Sequence, residues 1–413
     1  MTWAETCMFW HVYPLGFTGA PVREAHDAAP RLRHVEAWLD HVLGLGLNGL
    51  LLGPVSASET HGYDTVDLLR VDPRLGTEDD LDALLAACRE RGVRVVLDGV
   101  FHHVGRGHPW VRQALADGPD GPYARYFRID WSDPAAPRLA DFEGHSSLVA
   151  LNHDEPAVAD HVADVMTAWL DRGADGWRLD AAYAVPPAFW ARVLPRVRAA
   201  HPDAWFVGEV IHGDYAGIVA ESGLDSVTQY ELWKAIWSSL LDGNFFELDW
   251  ALQRHADFLR TFVPTTFVGN HDVTRVASRV GPQRAVLALV VLMTVGGVPC
   301  VYYGDERAAT GVKEERVGGD DAVRPAYPAT PDALPPDGAW MQEVHQALVG
   351  LRRRHPWLVR ATTEAVELTN TRYVYAARAD GNELLVELVE LDVTDVPRAT
   401  VRDATGVLFT SAP

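Results

Sequence analysis

The chain has 413 residues, 48% hydrophobic and 23% charged, with a formal net charge of −21. Such a length calls for one large barrel-type domain with one or two small ones, and the composition for a folded soluble protein. The negative balance excludes DNA, RNA and anionic membranes as electrostatic partners.

Phe9 to Pro14 reads as a first strand ended by proline. Leu32, Val35, Leu39, Val42 and Leu43 fall at helical spacing, predicting one helix over Arg31–Leu43. The apolar run Gly49–Leu52 before Gly53-Pro54 fits a strand buried on both faces, as in a parallel sheet. Thr77, with Asp80 in the capping-box position, starts a second helix striped by Leu81, Leu84, Leu85 and Cys88. Val93–Val100 is the third strand. Residues 104–152 are rich in Gly, Pro, Asp and aromatics without a sustained period, so an irregular insertion is expected there.

Helix signal returns over Glu155–Arg172. Strands follow at Gly176–Asp180, Trp205–Gly208, Leu224–Val227, Thr266–Gly269 and Val298–Tyr303, with helices over Phe189–Val197, Tyr230–Leu241, Gln283–Thr294 and Glu343–Arg354. This alternation predicts an α/β fold, a (β/α)8 TIM barrel, ahead of a doubly wound open sheet. Residues 308–338 read as a long loop over the barrel mouth. Beyond about Val366, Arg372–Ala377 and Glu383–Leu391 are short strands around Asp380-Gly381, which predicts a small antiparallel domain. The expected organisation is a barrel over 1–103 and 153–360, an inserted domain over 104–152, and a C-terminal β domain over 361–413.

Cys7, Cys88 and Cys300 are odd in number and far apart, suggesting neither disulfides nor a zinc site. The opening Met-Thr-Trp-Ala-Glu lacks a basic, apolar leader, and no stretch is long and apolar enough to span a bilayer. A cytoplasmic location is expected.

Polar residues gather at the C-terminal ends of the predicted strands, where barrel active sites sit. They are Asp98 with His102 and His103, Arg178 with Asp180, Glu209, and Asn270-His271-Asp272. Arg178 and Asp180, two apart on a strand, share a face, so the arginine holds the aspartate ionised and oriented. Glu209 follows the apolar Trp-Phe-Val-Gly run, where partial burial favours its protonated form. An ionised and a protonated carboxyl roughly 5–5.5 Å apart are the equipment for retaining glycoside cleavage. Asp272 suits the holding of sugar hydroxyls in a distorted transition state.

Six blocks, in order, resemble the α-amylase family of retaining glycoside hydrolases, in a neopullulanase/cyclomaltodextrinase-like or related form. They are His61-Gly-Tyr-Asp64, Asp98-Gly-Val-Phe-His-His103, Gly176-Trp-Arg-Leu-Asp180, Val207-Gly-Glu209, Phe267-Val-Gly-Asn-His-Asp272 and Gly297–Glu306. The resemblance implies Asp180 as nucleophile, Glu209 as acid/base and Asp272 as transition-state stabiliser. It also implies Tyr63 stacked on the sugar, with His103, Arg178 and His271 around it; Asp98, at its strand end, and Arg324, in the long loop, are further candidates for substrate binding.

The implied substrate is an α-glucan oligosaccharide or small glucoside, cleaved mainly at α-1,4 bonds, with transglycosylation as a companion reaction. A transferase or isomerase of trehalose or sucrose type shares the same intermediate. A non-catalytic sugar-binding or chaperone barrel is disfavoured, because all three carboxylates are present. The sequence does not specify the oligomeric state.

The departures are informative. His102 stands where calcium-dependent relatives carry a ligating Asn, and calcium prefers oxygen, so no cofactor is expected. Asp180 is followed by Ala-Ala-Tyr-Ala, without the Lys-His of many α-amylases or the Asn-Glu of neopullulanase-like enzymes. Ile211 replaces the usual Trp, and no extra domain is expected ahead of the first strand. His102, His103 and His108 suit sugar contact or loop packing better than zinc. Trp110 and Trp131 are candidate sugar platforms. Arg324 suits either the site floor or a surface salt bridge.

Overall fold

The computed structural model describes residues 2–23, 27–390 and 396–411. Eight short strands recur along the chain between helices: β1 (Phe9–Val12), β2 (Gly49–Leu52), β3 (Arg94–Gly99), β4 (Gly176–Leu179), β5 (Trp205–Gly208), β6 (Ser226–Val227), β7 (Thr265–Phe267) and β8 (Val298–Tyr302). The residues fall into two compact units. One comprises Met1–Val12, Trp38–Leu50 and Ser226–Pro413, the other Tyr13–Ala37 and Leu51–Asp225.

In the second unit β3, β4 and β5 form a parallel ladder, with Gly176 opposite both Val96 and Trp205. β4 and β5 are buried at every residue, as continuous apolar runs require in a parallel sheet. Gly176 is there for space: a Cβ would meet the Trp205 carbonyl oxygen at 2.2 Å. Helix α1 (Glu78–Glu90) starts where the sequence places it. The Thr77 hydroxyl accepts from Asp80 N–H, and the Asp80 carboxylate accepts from Thr77 N–H at 3.0 Å. α2 (Pro156–Arg172) and α3 (Pro187–Ala200) follow.

The segment after β3 is more regular than expected. It holds a helix, Pro109–Asp117, whose first turn is capped by His108 Nδ1 accepting from Trp110 N–H at 3.2 Å. A hairpin of Asp141–Phe142 and His145–Ala150 follows.

In the first unit β1, β8 and β7 form a parallel ladder, with Phe9 opposite Cys300 and Phe267 opposite the same residue. Thr228, next to β6, bridges Thr265 in parallel. The unit includes α4 (Tyr230–Asp242), α5 (Pro282–Thr294) and α6 (Ala339–Arg354). The helix expected over Arg31–Leu43 is instead two, Leu32–Glu36 and Leu39–Leu45. Trp38, at the break, is fully buried; its ring stacks on Trp10 and its indole N–H donates to the Pro328 carbonyl at 3.1 Å. Burying an indole with its N–H satisfied outweighs the small helix propensity lost at one residue.

Thr362 onward forms five antiparallel strands, β9 (Thr362–Leu368), β10 (Arg372–Ala379), β11 (Asn382–Val389), β12 (Arg398–Asp403) and β13 (Gly406–Thr410). Leu391, the end of one expected strand, lies outside the described residues. Cys7, Cys88 and Cys300 are buried thiols outside any disulfide, and burial pushes Cys88 up to about 12. Among the described residues no helix is long and apolar enough to cross a membrane.

Candidate active site

The parallel register of β3, β4 and β5 builds a carboxylate cluster around one guanidinium. Arg178 lies opposite Asp98, and Leu179 opposite Gly99 and Gly208. Asp180 and Glu209 are therefore each one residue past aligned positions, with Asp180 N–H donating to Gly99 O at 3.0 Å and Glu209 N–H to Leu179 O at 2.9 Å. Arg178 Nη1 donates to both Asp98 oxygens at 2.8 and 2.9 Å and to Asp180 Oδ1 at 3.0 Å. Its Nη2 lies 2.5 Å from Glu209 Oε1. All four side chains are buried. Burial alone would lower the arginine's pKa, but the charges of Asp98, Glu209, Tyr63 and Asp180 outweigh it and hold it well above the usual value.

The expected pairing of Arg178 with Asp180 is present. The expected burial of Glu209 is present too, but the same arginine also reaches it. β5 is apolar toward the interior, yet its register with β4 carries Glu209 to the guanidinium. Glu209 has a further partner: Ala181 N–H donates to Oε2 at 3.0 Å, from a tight turn with Ala181 at φ 46°.

Tyr63 donates its hydroxyl to Asp98 Oδ2 at 3.0 Å, and its carbonyl lies 3.0 Å from His103 Nε2. Burial, with the neighbouring His102 next, lowers His103 to about 3, so the ring is neutral. Nε2 then carries the proton given to Tyr63 O, and Nδ1 accepts from His102 Nδ1–H at 3.2 Å. Phe142, from the inserted hairpin, stacks on the His103 ring at 5.0 Å.

The other unit carries the remaining expected residues. Asp272 follows β7; its N–H donates to Asn270 Oδ1 at 2.9 Å, and Asn270 Nδ2 donates to the Tyr230 hydroxyl at 2.8 Å. Arg324 Nη2 lies 2.5 Å from Asp272 Oδ1, and Nε donates to the His271 carbonyl at 2.8 Å. His271 Nε2 is 2.9 Å from Asp272 Oδ2, and its ring meets His11 edge-on at 5.0 Å. Arg324 is therefore a partner of Asp272 with its side chain only 9% exposed, not a surface ion pair.

Trp110 is not a free platform: it stacks on Tyr123 and packs against Tyr126 and His161. Trp131 is half-buried in a loop. Among the described residues no group of three or more His, Cys, Asp or Glu could hold a metal. Calcium in particular does not fit at His102. Its imidazole offers nitrogen, already engages His103, and is pushed down to about 4 by burial, with His153 and Arg128 adding to the effect. Sequence reasoning missed Tyr183, whose hydroxyl donates to Glu143 at 2.8 Å.

The family model for the α-amylase catalytic domain matches residues 12–365. A cyclomaltodextrinase from Bacillus sp is 28% identical over 421 residues, covering 94% of this chain and 73% of that protein. The intracellular maltogenic amylase of Bacillus subtilis is 28% identical over 284 residues, 66% of this chain and 48% of its own length. Among solved structures, the cyclic α-maltosyl-(1→6)-maltose hydrolase of Arthrobacter globiformis in complex with maltose superposes with a TM-score of 0.83 at 26% identity, covering 100% of both chains. The alternating strands and helices are those of a (β/α)8 barrel, and the chain belongs to the α-amylase family of glycoside hydrolases.

Proposed function

We propose that the chain is a retaining glycoside hydrolase that cleaves α-1,4-glucosidic bonds in maltooligosaccharides or related α-glucans. The observation that carries this reading is one buried guanidinium bonded to Asp98, Asp180 and Glu209 together. An Asp180 oxygen attacks the anomeric carbon while Glu209 gives its proton to the departing glycosidic oxygen, leaving a glycosyl–aspartate ester. Glu209, now a carboxylate, takes a proton from water, whose oxygen attacks the same carbon and frees Asp180. Two inversions give net retention.

Arg178 serves both halves of this cycle. It keeps Asp180 charged and aimed, and it stabilises the Glu209 carboxylate that forms when the proton leaves. The family resemblance assigns transition-state stabilisation to Asp272, and His271 and Arg324, in contact with its two oxygens, orient it. Tyr63, Asp98 and His103 are assigned sugar binding. The names of the relatives, cyclomaltodextrinase and maltogenic amylase, support an α-glucan as substrate. The intracellular relative and the buried cysteines, in no disulfide, support a cytoplasmic setting.

Proton NMR of a fresh reaction tests the proposal. Maltotriose, a cyclodextrin and an α-1,6 oligomer are offered to wild type and to Asp180→Ala. The α-anomer is expected first, with the variant silent. A β-anomer first, or an active variant, overturns the mechanism.

A further inference from the structure

Arg324 sits in the long loop after β8, yet its guanidinium meets Asp272, and a group that serves a transition state must be held closely in place. The loop backbone is held at the carbonyls immediately before and after Arg324. The Val323 carbonyl accepts the Tyr302 hydroxyl at 3.0 Å and Arg275 Nη2 at 3.0 Å, which fills both of its lone pairs. The Pro325 carbonyl accepts the Tyr303 hydroxyl at 2.8 Å. Within a strand, neighbouring side chains point to opposite faces. β8 ends at Tyr302, and past that end Tyr303 turns to the same loop, its ring edge-on to that of Tyr302 at 4.7 Å.

Tyr302, Tyr303, Arg275 and Val323 are all buried. The Arg275 charge is matched by Asp305, whose Oδ1 accepts from Nη1 at 3.0 Å, and the Tyr303 carbonyl accepts from the same nitrogen at 2.7 Å. A buried ion pair adds little stability over apolar residues of the same volume. What this one supplies beyond packing is a fixed donor for the Val323 carbonyl. The first limb of the loop is tied to the segment that follows Asp272. Arg275 N–H donates to the Gly311 carbonyl at 3.0 Å, and Lys313 N–H to Thr274 Oγ1 at 3.0 Å.

We propose that Tyr302 and Tyr303 are positioning residues for the reaction: by clamping the main chain on either side of Arg324, they set the reach of its guanidinium and so the orientation of Asp272. This rests on the assignment of Asp272 as the transition-state stabiliser. The two tyrosines act through Arg324 and need not touch the sugar.

Maltotriose hydrolysis reads the effect. Phenylalanine at either position keeps the ring contacts and deletes one hydroxyl. Tyr302→Phe and Tyr303→Phe are each expected to lower kcat about threefold, and together about tenfold, with KM within about twofold of wild type. Arg324→Met alone should lower kcat about 10²-fold, because it removes charge-assisted bonds to Asp272 and to the His271 carbonyl. In the Arg324→Met background the two tyrosine changes together should cost less than about twofold more, because the group they align is gone. A loss of folded protein would instead multiply the rate by the same factor in either background.

A paired tyrosine variant within about twofold of wild type, or its full loss repeated in the Arg324→Met background, overturns the proposal. Asp272→Asn separates this failure from failure of the reading beneath it. Full activity in Asp272→Asn removes the role of Asp272 and this proposal with it. An inactive Asp272→Asn beside unaffected tyrosine variants leaves that role standing and sinks the clamp alone.

Discussion

Replacing Arg178 by methionine keeps a side chain of similar length and removes the charge. In the native cluster the guanidinium makes four contacts with three carboxylates, at 2.8, 2.9, 3.0 and 2.5 Å, with its own side chain only 5% exposed. Deleting one partner of a buried ionic cluster costs about 3–5 kcal/mol, because the remaining charges stay buried without compensation. The carboxylates can relieve that cost by taking up protons. At about 1.4 kcal/mol per unit, the penalty corresponds to a proton affinity raised by about two to four units across the cluster.

The sign follows. The folded variant then binds more protons than its unfolded chain, so its stability falls as pH rises. Urea unfolding followed by tryptophan fluorescence is expected to give a deficit of about 3–5 kcal/mol at pH 8 and about half that, or less, at pH 5. Turnover should be lost at both: at pH 5 because a protonated Asp180 is no nucleophile, and at pH 8 because nothing then orients Asp180 or stabilises the carboxylate that Glu209 becomes. A deficit under about 1 kcal/mol at pH 8, or one that grows toward pH 5, refutes the reasoning.

Glu209→Gln should still bind maltooligosaccharide but turn it over about 10²–10⁴-fold more slowly; a rate within a few-fold of wild type removes Glu209 from the acid role. EDTA should leave the melting temperature unchanged, and a large drop restored by calcium would contradict the argument from His102. Acid should destabilise the fold through buried neutral histidines. Burial lowers His102, His108 and His153 to about 4 and His103 to about 3, from an ordinary 6.5. The stability they contribute is present above pH 6.5 and lost as pH falls toward 4, roughly 3 kcal/mol for one such group. Asp305, raised to about 7 by burial, with the Glu306 charge adding and Arg275 opposing, runs the other way. Its contribution is present below 3.8 and lost as pH rises through 7. Four groups outweigh one, so urea midpoints should fall between pH 6.5 and 4.5; a rise would refute this.

The eight strands were legible because parallel strands buried on both faces are short apolar runs, and Gly49–Leu52 and Trp205–Gly208 are such runs. The α1 start was legible because a capping box is local: Thr77 and Asp80 satisfy each other without outside help. What failed was decided by contacts distant in sequence. The break between residues 36 and 39 follows from the burial of Trp38 against Trp10 and Pro328, which no periodicity within the helix encodes. The helix at Pro109–Asp117 has a proline at its first position and a histidine cap, a combination that composition alone reads as loop. The hydrogen bond from Tyr183 to Glu143 spans 40 residues.

The site itself shows the same division between local and distant causes. Strand period alone puts Arg178 beside Asp180. It is the parallel register, Arg178 opposite Asp98 and Leu179 opposite Gly208, that adds Asp98 and Glu209 to the cluster. An arginine that touches both carboxylates cannot by itself make one a nucleophile and the other an acid. Their second partners differ. Glu209 Oε2 takes a main-chain N–H from the turn after Asp180, so its carboxyl is fixed through both oxygens, one on Arg178 and one on Ala181. A carboxyl held in this way can gain and lose a proton without moving, which is the requirement for a group that acts first as acid and then as base.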